Sequence, residues 1–224
     1  MKNHDSTPLA DFEELSPSQM LAASEEFLAS MKRRHSVRQF SDRPVDQAVI
    51  EAAIAAAGRA PSGANHQPWH FCAIGSADKK KQLREFAETE ERAFYEGKAG
   101  EDWLDALSPL GTDASKPYLE HAPWVIAIFG QRKGGIDGDE SQQNYYVPES
   151  VGIAMGFLIT ALHQAGLCML THTPKPMSFL HDLCGRPKGE KPYLLLVVGY
   201  PADDATVPLH SLKKKPLDQI ASFI

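Results

Sequence analysis

Two arginines lie four residues apart in the segment Arg34-His35-Ser36-Val37-Arg38. A planar guanidinium can bind phosphate through two parallel hydrogen bonds, whereas a lysine ammonium acts as a point charge. The two side chains could therefore face one anion, and the phosphate of a mononucleotide suits them. The alternative is a solvated basic run after a helix, which is the common environment of charged side chains.

A second group of residues offers an anion, a phenol and a cation. Glu91 and Tyr95 are four residues apart, so a helix would place both on one face, and Lys116 precedes Pro117 in a later turn. Together these groups complement a zwitterionic amino acid. Individually each is a common surface residue, and Glu91 is the most ambiguous because it ends an acidic run.

Length and composition predict one ordinary domain without a nucleic-acid or membrane partner. The chain has 224 residues, 42% of them hydrophobic, and a formal net charge of −6. Its longest apolar stretch, Val151 to Leu162, is far shorter than the roughly 20 residues of a membrane span. The polar start Met1 to Asp5 does not resemble a signal peptide. A cytoplasmic location is therefore expected.

The cysteines and histidines predict neither a disulfide framework nor a metal site. Cys72, Cys168 and Cys184 lie among apolar neighbours, which favours buried, inert thiols in a reducing compartment. The nine histidines show none of the spacings typical of a metal centre.

Helices and strands alternate along the chain without repeats. Helices are predicted at 16–33, 46–57, 77–89 and 147–166, and strands at 69–75, 123–130, 167–170 and 193–198. The continuous apolar run 124–129 indicates a central strand covered on both faces. The helix at 147–166 is apolar nearly all round, which predicts a path through the core or an oligomer interface. The irregular order of elements favours an α+β fold with a mixed sheet.

Several motifs, taken in order, resemble the nitroreductase-like FMN flavoprotein superfamily and, within it, the iodotyrosine deiodinase family. The resemblance extends from about Arg33 to Ile220. The motifs are Pro61-Ser62-Gly63-Ala64, Tyr118-Leu119, Ala122-Pro123, Tyr145-Tyr146, Glu149-Ser150, Gly185-Arg186-Pro187, Val198-Gly199-Tyr200-Pro201 and Lys215-Pro216-Leu217-Asp218-Gln219-Ile220. It implies a mixed central sheet flanked by helices in an intertwined homodimer. Residues 1–224 would form a single domain, with a helical extension at 1–32 and an active-site lid at 88–117.

The resemblance also implies which residues bind FMN. They are Arg34, His35, Ser36, Val37, Arg38, Pro61, Ser62, Gly63, Thr171, His172, Thr173 and Lys214. The loop at Ser62 and Gly63 would reach the flavin across the dimer interface. Thr173 would lie near flavin N5 as the catalytic residue, where its hydroxyl can donate or accept a hydrogen bond. From the residues alone, a helix cap before Pro174 is the favoured interpretation of Thr173.

Three positions depart from the family pattern. His35 and Lys214 stand where arginines are expected, and His172 replaces the middle threonine of its segment. Phosphate affinity could change, because lysine cannot make the forked contact of arginine. The lysine run at 213–215 could otherwise be a solvated surface, with Pro216-Leu217 lying over a neighbouring subunit.

For the substrate, the resemblance implies a halotyrosine. Glu91 would bind the ammonium, Lys116 the carboxylate, Tyr95 would add a hydrogen bond, and the Ala64 backbone N–H would contact the phenolate. The implied reaction is reductive removal of halide from 3-iodotyrosine and 3,5-diiodotyrosine. The electrons would derive from NAD(P)H. The sequence does not identify the direct donor, which could be an external flavin-reducing partner. The alternatives are a broad nitroreductase or quinone reductase, and a non-catalytic flavin-binding module.

Overall fold

The computed structural model describes residues 5–98 and 100–224, and it divides into two compact units. The first unit is Met1–Arg34 and the second is His35–Ile224. Residues 1–4 of the predicted helical extension and residue 99 of the predicted lid lie outside the described residues. The boundary lies close to the predicted end of the extension at residue 32, and whether the chain acts as one domain stays a prediction.

The first unit contains helix α1, Pro17–Lys32, where the sequence predicts it. The helix begins with a capping box. The Ser16 N–H donates to Gln19 Oε1 at 2.9 Å, and the Gln19 N–H donates to Ser16 Oγ at 3.4 Å. Pro17 occupies the first turn, where a missing N–H costs no hydrogen bond.

A four-stranded antiparallel sheet forms the centre of the second unit. Its strand order is β1 (Trp69–Ile74), β2 (Trp124–Gly130), β6 (Lys191–Gly199) and β5 (Cys168–His172). All three pairings are antiparallel. Among the described residues, Ser36 forms an isolated parallel bridge with Met169 of β5. The predicted α+β class and nitroreductase-like fold are confirmed. The four strands pair antiparallel rather than in the predicted mixed sheet, because the segment at Ser36 contributes an isolated parallel bridge rather than a strand.

Helices cover both faces of this sheet, as the apolar run in β2 predicts. Val125, Ala127 and Phe129 point to one face, and Ile126 and Ile128 to the other, because side chains alternate along a strand. The first face packs against α3 (Ala77–Ala93), α5 (Tyr118–His121) and α7 (Phe179–Cys184), and the second against α2 (Gln47–Ala57) and α6 (Val147–Gln164).

Within this chain, α6 is not buried all round, and the predicted alternative of an oligomer interface stays a prediction. Val151, Ala154 and Leu158 are fully buried, but Ile153 and Phe157 remain 42% and 43% exposed. The helix packs on the sheet through one stripe only, and its opposite side carries an exposed apolar stripe. Within this chain, α6 therefore lies on the core rather than passing through it.

The sequence analysis placed no element in several segments that are regular in the structure. The helical segments are a π-helical turn (Phe94–Lys98), α4 (Glu101–Leu107), α5, α7, α8 (Leu209–Leu212) and 3₁₀ turns at Gly63–Asn65, Ser108–Leu110 and Leu217–Gln219. The remaining one is the β3–β4 hairpin (Lys133–Gly134 and Asp139–Gln143). The cysteines differ from expectation in burial, since all three are half-buried rather than buried. No helix in the described part of the chain is both long and apolar enough to cross a bilayer.

Candidate active site

A cavity of about 570 Å³ lies between β5 and the segment that leads from α3 to α5. Its volume is in the range of small-molecule sites. The lining residues are Arg38, Glu90, Glu91, Phe94, Tyr95, Gly100, Trp103, Leu107, Thr112, Lys116, Tyr118, Leu170, Thr171, His172, Thr173 and Lys175. Three groups singled out by the sequence therefore meet here: an arginine of the basic segment, the 171–173 segment, and Glu91 with Tyr95 and Lys116.

The basic segment is fixed beside β5 by backbone contacts. Ser36 forms a parallel bridge with Met169, and the Val37 N–H donates to the Met169 carbonyl at 3.2 Å. Val37 is buried in the core, so its side chain anchors the segment, while Arg38 reaches the cavity. A guanidinium is thus held near the exposed hydroxyls of Thr171 and Thr173.

Glu91 and Lys116 form an ion pair in the wall of the cavity. Lys116 Nζ lies 3.2 Å from Glu91 Oε2, and their side chains are only 3% and 13% exposed, respectively. Lys116 Nζ also donates to Thr112 Oγ1 at 3.0 Å and to the Asp113 carbonyl. The sequence predicted that these charges serve the same site. It did not predict that they bind each other.

The backbone around this ion pair is held by a second set of charges. Glu88 Oε1 accepts a hydrogen bond from the Lys116 backbone N–H at 2.8 Å and also lies 2.8 Å from Arg84 Nε. Arg84 Nη1 in turn lies 3.1 Å from Glu120 Oε2. Burial alone would raise the pKa of Glu88, but the Lys116 N–H and Arg84 outweigh it, so the net pKa is lowered. The carboxylate stays charged and fixes the start of the Lys116 turn.

Tyr95 lies next to the ion pair but donates its hydroxyl to a backbone group. The acceptor is the Thr112 carbonyl, at 3.2 Å, and Lys116 Nζ is 5.6 Å from the centroid of the Tyr95 ring. Burial raises the pKa of Tyr95, so the phenol stays neutral and remains a donor.

His172, the last residue of β5, faces the opposite side of that strand from Thr171, because side chains alternate along a strand. It is 8% exposed, its ring meets Tyr118 edge-on, and its Nε2 lies 4.0 Å from Glu91 Oε1. In the described residues, Nε2 has no hydrogen-bond partner. Burial, followed by the charge of Lys116, lowers the pKa of His172 to about 3. The imidazole is therefore neutral near pH 7.

The loop that follows Pro61 is built around unusual backbone geometry. Ala64 and Gln67 both have φ of 51°, in a region that few residues other than glycine adopt. Ser62 Oγ accepts the Gln67 N–H at 2.9 Å, and the Gly63 N–H donates to Ser150 Oγ at 3.3 Å. A Cβ on Gly63 would lie 2.7 Å from the Tyr145 carbonyl oxygen, so glycine is needed there.

Several predicted cofactor residues do not line the cavity within this chain. They are Pro61, Ser62, Gly63, Val37, His35, Ser36 and Lys214. Ser36 and Val37 lie beside β5, whereas Lys214 is exposed and donates to the Ser211 carbonyl. Ala64, predicted to contact substrate, is likewise absent from the lining. Arg34 belongs to the first unit. Their roles stay predictions.

The sequence analysis missed the apolar wall of the cavity and the position of His172 beside Glu91, since it assigned His172 to the cofactor. Phe94, Trp103 and Leu107 come from the lid segment, and Trp103 is 58% exposed. An exposed tryptophan within a predicted lid is a signal that could have identified this wall. No local pattern could have placed His172 beside Glu91, because that contact joins distant parts of the chain.

The described residues contain no cluster of three or more histidine, cysteine or acidic side chains suited to a metal ion. The chemistry of this cavity rests instead on a guanidinium, two threonine hydroxyls, an ion pair and an aromatic wall. These groups suit an anionic, planar cofactor next to a charged small molecule.

Residues 31–200 match the Nitroreductase family. An iodotyrosine deiodinase from Haliscomenobacter hydrossis is 47% identical over 192 residues, which cover 86% of each chain. An iodotyrosine deiodinase from Nematostella vectensis is 43% identical over 215 residues, covering 95% of this chain and 81% of the relative.

Solved structures show the same similarity. Oxidized iodotyrosine deiodinase bound to FMN and 3-iodo-L-tyrosine superposes with a TM-score of 0.72 at 28% identity, covering 88% of this chain and 100% of that chain. A nitroreductase with bound FMN from Bacteroides fragilis superposes with a TM-score of 0.63 at 21% identity, covering 89% of this chain and 98% of that chain. The second similarity concerns the fold alone.

The buried neutral His172 predicts a specific pH dependence of stability. An unfolded histidine has a pKa of about 6.5, so between that value and about 3 the unfolded chain binds a proton that the folded chain does not. Stability contributed by neutral His172 is therefore lost as the pH falls below about 6.5. From pH 7 to pH 5 the parent should lose about 2 kcal/mol more unfolding free energy than His172→Gln.

Urea unfolding at pH 5, 6 and 7 measures this difference. The control variant is His121→Gln, which removes an exposed histidine and should follow the parent. Identical pH dependence in the parent and His172→Gln would contradict the assignment of His172 as a neutral buried group.

Proposed function

Because the chain belongs to the nitroreductase family and, within it, to the iodotyrosine deiodinases, we propose that it uses FMN to remove halide reductively from halotyrosines. The observation that carries this proposal is the ion pair of Glu91 and Lys116 in the wall of a cavity that also presents Thr171 and Thr173. A general reductase of aromatic compounds has no need of two opposite charges at that place.

The donors around the cavity fit FMN. Arg38 supplies a guanidinium for the phosphate, and Thr171 and Thr173 supply hydroxyls for the polar edge of the flavin. FMN is also the ligand named in the structure of the iodotyrosine deiodinase relative. In this proposal Thr173 lies beside the reactive edge, and His35 contributes to the phosphate site, as predicted from the sequence. Reduced FMN would supply the two electrons that the reaction consumes.

A second copy of the chain would complete the site. Ser62, Gly63, Ala64 and Lys214 do not line the cavity of their own chain, although the family resemblance assigns them to it. The exposed stripe of α6 provides an apolar surface that a second copy could cover. We therefore infer a homodimer with two shared sites, in which the loop at Ser62 reaches the partner's flavin.

The Glu91–Lys116 pair selects the amino-acid end of the substrate. Glu91 is suited to the ammonium and Lys116 to the carboxylate, while Tyr95 adds a hydrogen bond. Because these contacts lie away from the carbon–halogen bond, their binding energy serves to orient the phenol ring. This supports 3-iodotyrosine and 3,5-diiodotyrosine as substrates.

The segment 88–117 would act as the lid. It carries both charges of the pair and the apolar residues Phe94, Trp103 and Leu107, all of which line the cavity. Closure over a bound ligand would exclude water and complete the contacts to the zwitterion. The net reaction consumes two electrons and one proton, breaks the carbon–iodine bond and releases tyrosine and iodide. No side chain needs to act as a nucleophile.

The purified protein is expected to be a yellow homodimer with one FMN per chain. Size-exclusion chromatography with light scattering gives the mass, and acid release of the flavin followed by chromatography distinguishes FMN from FAD. A colourless monomer that takes up no added FMN would contradict both the cofactor and the shared site.

Reductive turnover is tested by mixing the reduced protein anaerobically with 3-iodotyrosine. One equivalent each of tyrosine and iodide per FMN is expected, together with oxidation of the flavin. Flavin oxidation by a nitroaromatic compound but not by iodotyrosine would favour the general nitroreductase. No oxidation by either compound would favour a non-catalytic flavin-binding module.

The zwitterion contacts predict a matched set of binding losses. Glu91→Gln and Lys116→Ala should each weaken iodotyrosine binding by about 1.5–3 kcal/mol, the range for a lost hydrogen bond to a charged group. Binding of 2-iodophenol, which lacks both charges, should be poor in the parent and change little. Flavin-fluorescence titration at fixed pH measures both ligands.

The control is Glu85→Gln, which neutralises an exposed carboxylate on the same helix and should leave both affinities unchanged. If the parent bound iodophenol as tightly as iodotyrosine, the amino-acid contacts would be ruled out, and the broad reductase would become the better proposal.

A further inference from the structure

Lys116 has no spare hydrogen-bond donor for a ligand. An ammonium group offers three N–H donors, and those of Lys116 face Thr112 Oγ1, the Asp113 carbonyl and Glu91 Oε2. Two of these acceptors come from the turn that carries Lys116 itself. Glu91 is the partner that a substrate carboxylate can replace, because the substrate also brings an ammonium for Glu91.

Binding of a zwitterion would therefore exchange partners at Glu91. Oε2 gives up Lys116 and gains the ligand's ammonium, while Lys116 gains the ligand's carboxylate. During this exchange Glu91 stays at the cavity wall, where its side chain is 13% exposed. The loss of a partner from a largely buried carboxylate costs free energy unless another hydrogen-bond donor binds the carboxylate.

The other oxygen of Glu91 faces such a donor. His172 Nε2 lies 4.0 Å from Glu91 Oε1, whereas Lys116 contacts Oε2. The Nε2 atom is buried and lacks a partner among the described residues, although buried polar atoms are normally satisfied. A movement of about 1 Å, well within side-chain motion, brings the two atoms into hydrogen-bond range.

Neutral imidazole suits this task better than a charged group would. A neutral ring carries one N–H, and an acceptor-only carboxylate favours the tautomer with that proton on Nε2. Such a donor holds Oε1 without adding a positive charge that would compete with the ligand's ammonium. The edge-on contact with Tyr118 keeps the ring plane in place.

We propose that His172 is a positioning residue, whose Nε2–H holds Glu91 Oε1 while Oε2 exchanges Lys116 for the substrate ammonium. This inference rests on the proposed function. It gives this histidine a role toward the substrate through Glu91, rather than the flavin contact expected from the 171–173 segment.

The test is a double-mutant cycle on the FMN-loaded protein, read by flavin-fluorescence titration with 3-iodotyrosine and 2-iodophenol. His172→Phe keeps the ring but removes the donor, and should weaken iodotyrosine binding about tenfold. His172→Gln retains an N–H and should restore most of that loss. In a Glu91→Ala background, His172→Phe should change iodotyrosine affinity less than twofold.

Iodophenol separates positioning from a structural role. It has no ammonium, so its affinity should stay within twofold in every His172 variant that retains FMN. If His172→Phe does not retain FMN, His172→Thr serves instead, because threonine is too short to reach Glu91. Equal weakening of both ligands, or the same tenfold loss in the Glu91→Ala background, would overturn the proposal.

Failure of the proposed function gives a different result. In that case the parent itself would bind iodotyrosine no better than iodophenol, whatever residue stands at position 172. A parent that discriminates between the ligands, combined with unchanged affinity in His172→Phe and His172→Thr, would overturn the role of His172 alone.

Discussion

The buried ion pair between Glu91 and Lys116 is the constraint on which the site depends. Two charges taken out of water lose hydration that their mutual attraction only partly returns, so such a pair is a weak source of stability. Three further contacts hold it in place: Thr112 and Asp113 on Lys116, and Glu88 on the backbone N–H of Lys116. Their arrangement keeps opposite charges at a fixed separation inside a cavity.

The fold supplies that separation from elements anchored in the core. Glu91 lies in the last turn of α3, whose residues Leu83 and Ala87 pack on the sheet. Lys116 precedes α5, where Leu119 packs in the same cluster. Both charges are therefore carried close to points where the chain is fixed to the core.

The sequence predicted the sheet strands and the grouping of Glu91, Tyr95 and Lys116 at one site. The continuous apolar run of β2, which is buried on both faces, and the four-residue spacing of Glu91 and Tyr95 are local patterns. That Arg38 and the 171–173 segment belong to the same site was predicted from the family resemblance instead. The sequence did not predict the direct Glu91–Lys116 contact, the neighbouring His172 or the exposed stripe of α6. Those features depend on tertiary packing between distant segments, for which hydrophobic periodicity contains no signal. The cofactor roles of Ser62, Gly63 and Lys214 stay predictions, since none of these residues lines the cavity of its own chain.

The same ion pair explains how a cavity can select a zwitterion over a phenol of the same shape. A ligand with one charge would replace one partner and leave the other charge buried and unpaired, which is strongly unfavourable. A ligand without charges leaves the pair intact and gains nothing from it. Only a ligand that carries both charges converts one buried ion pair into two. In the proposed function, the discrimination would thus arise as much from the penalty on incomplete ligands as from attraction to the complete one.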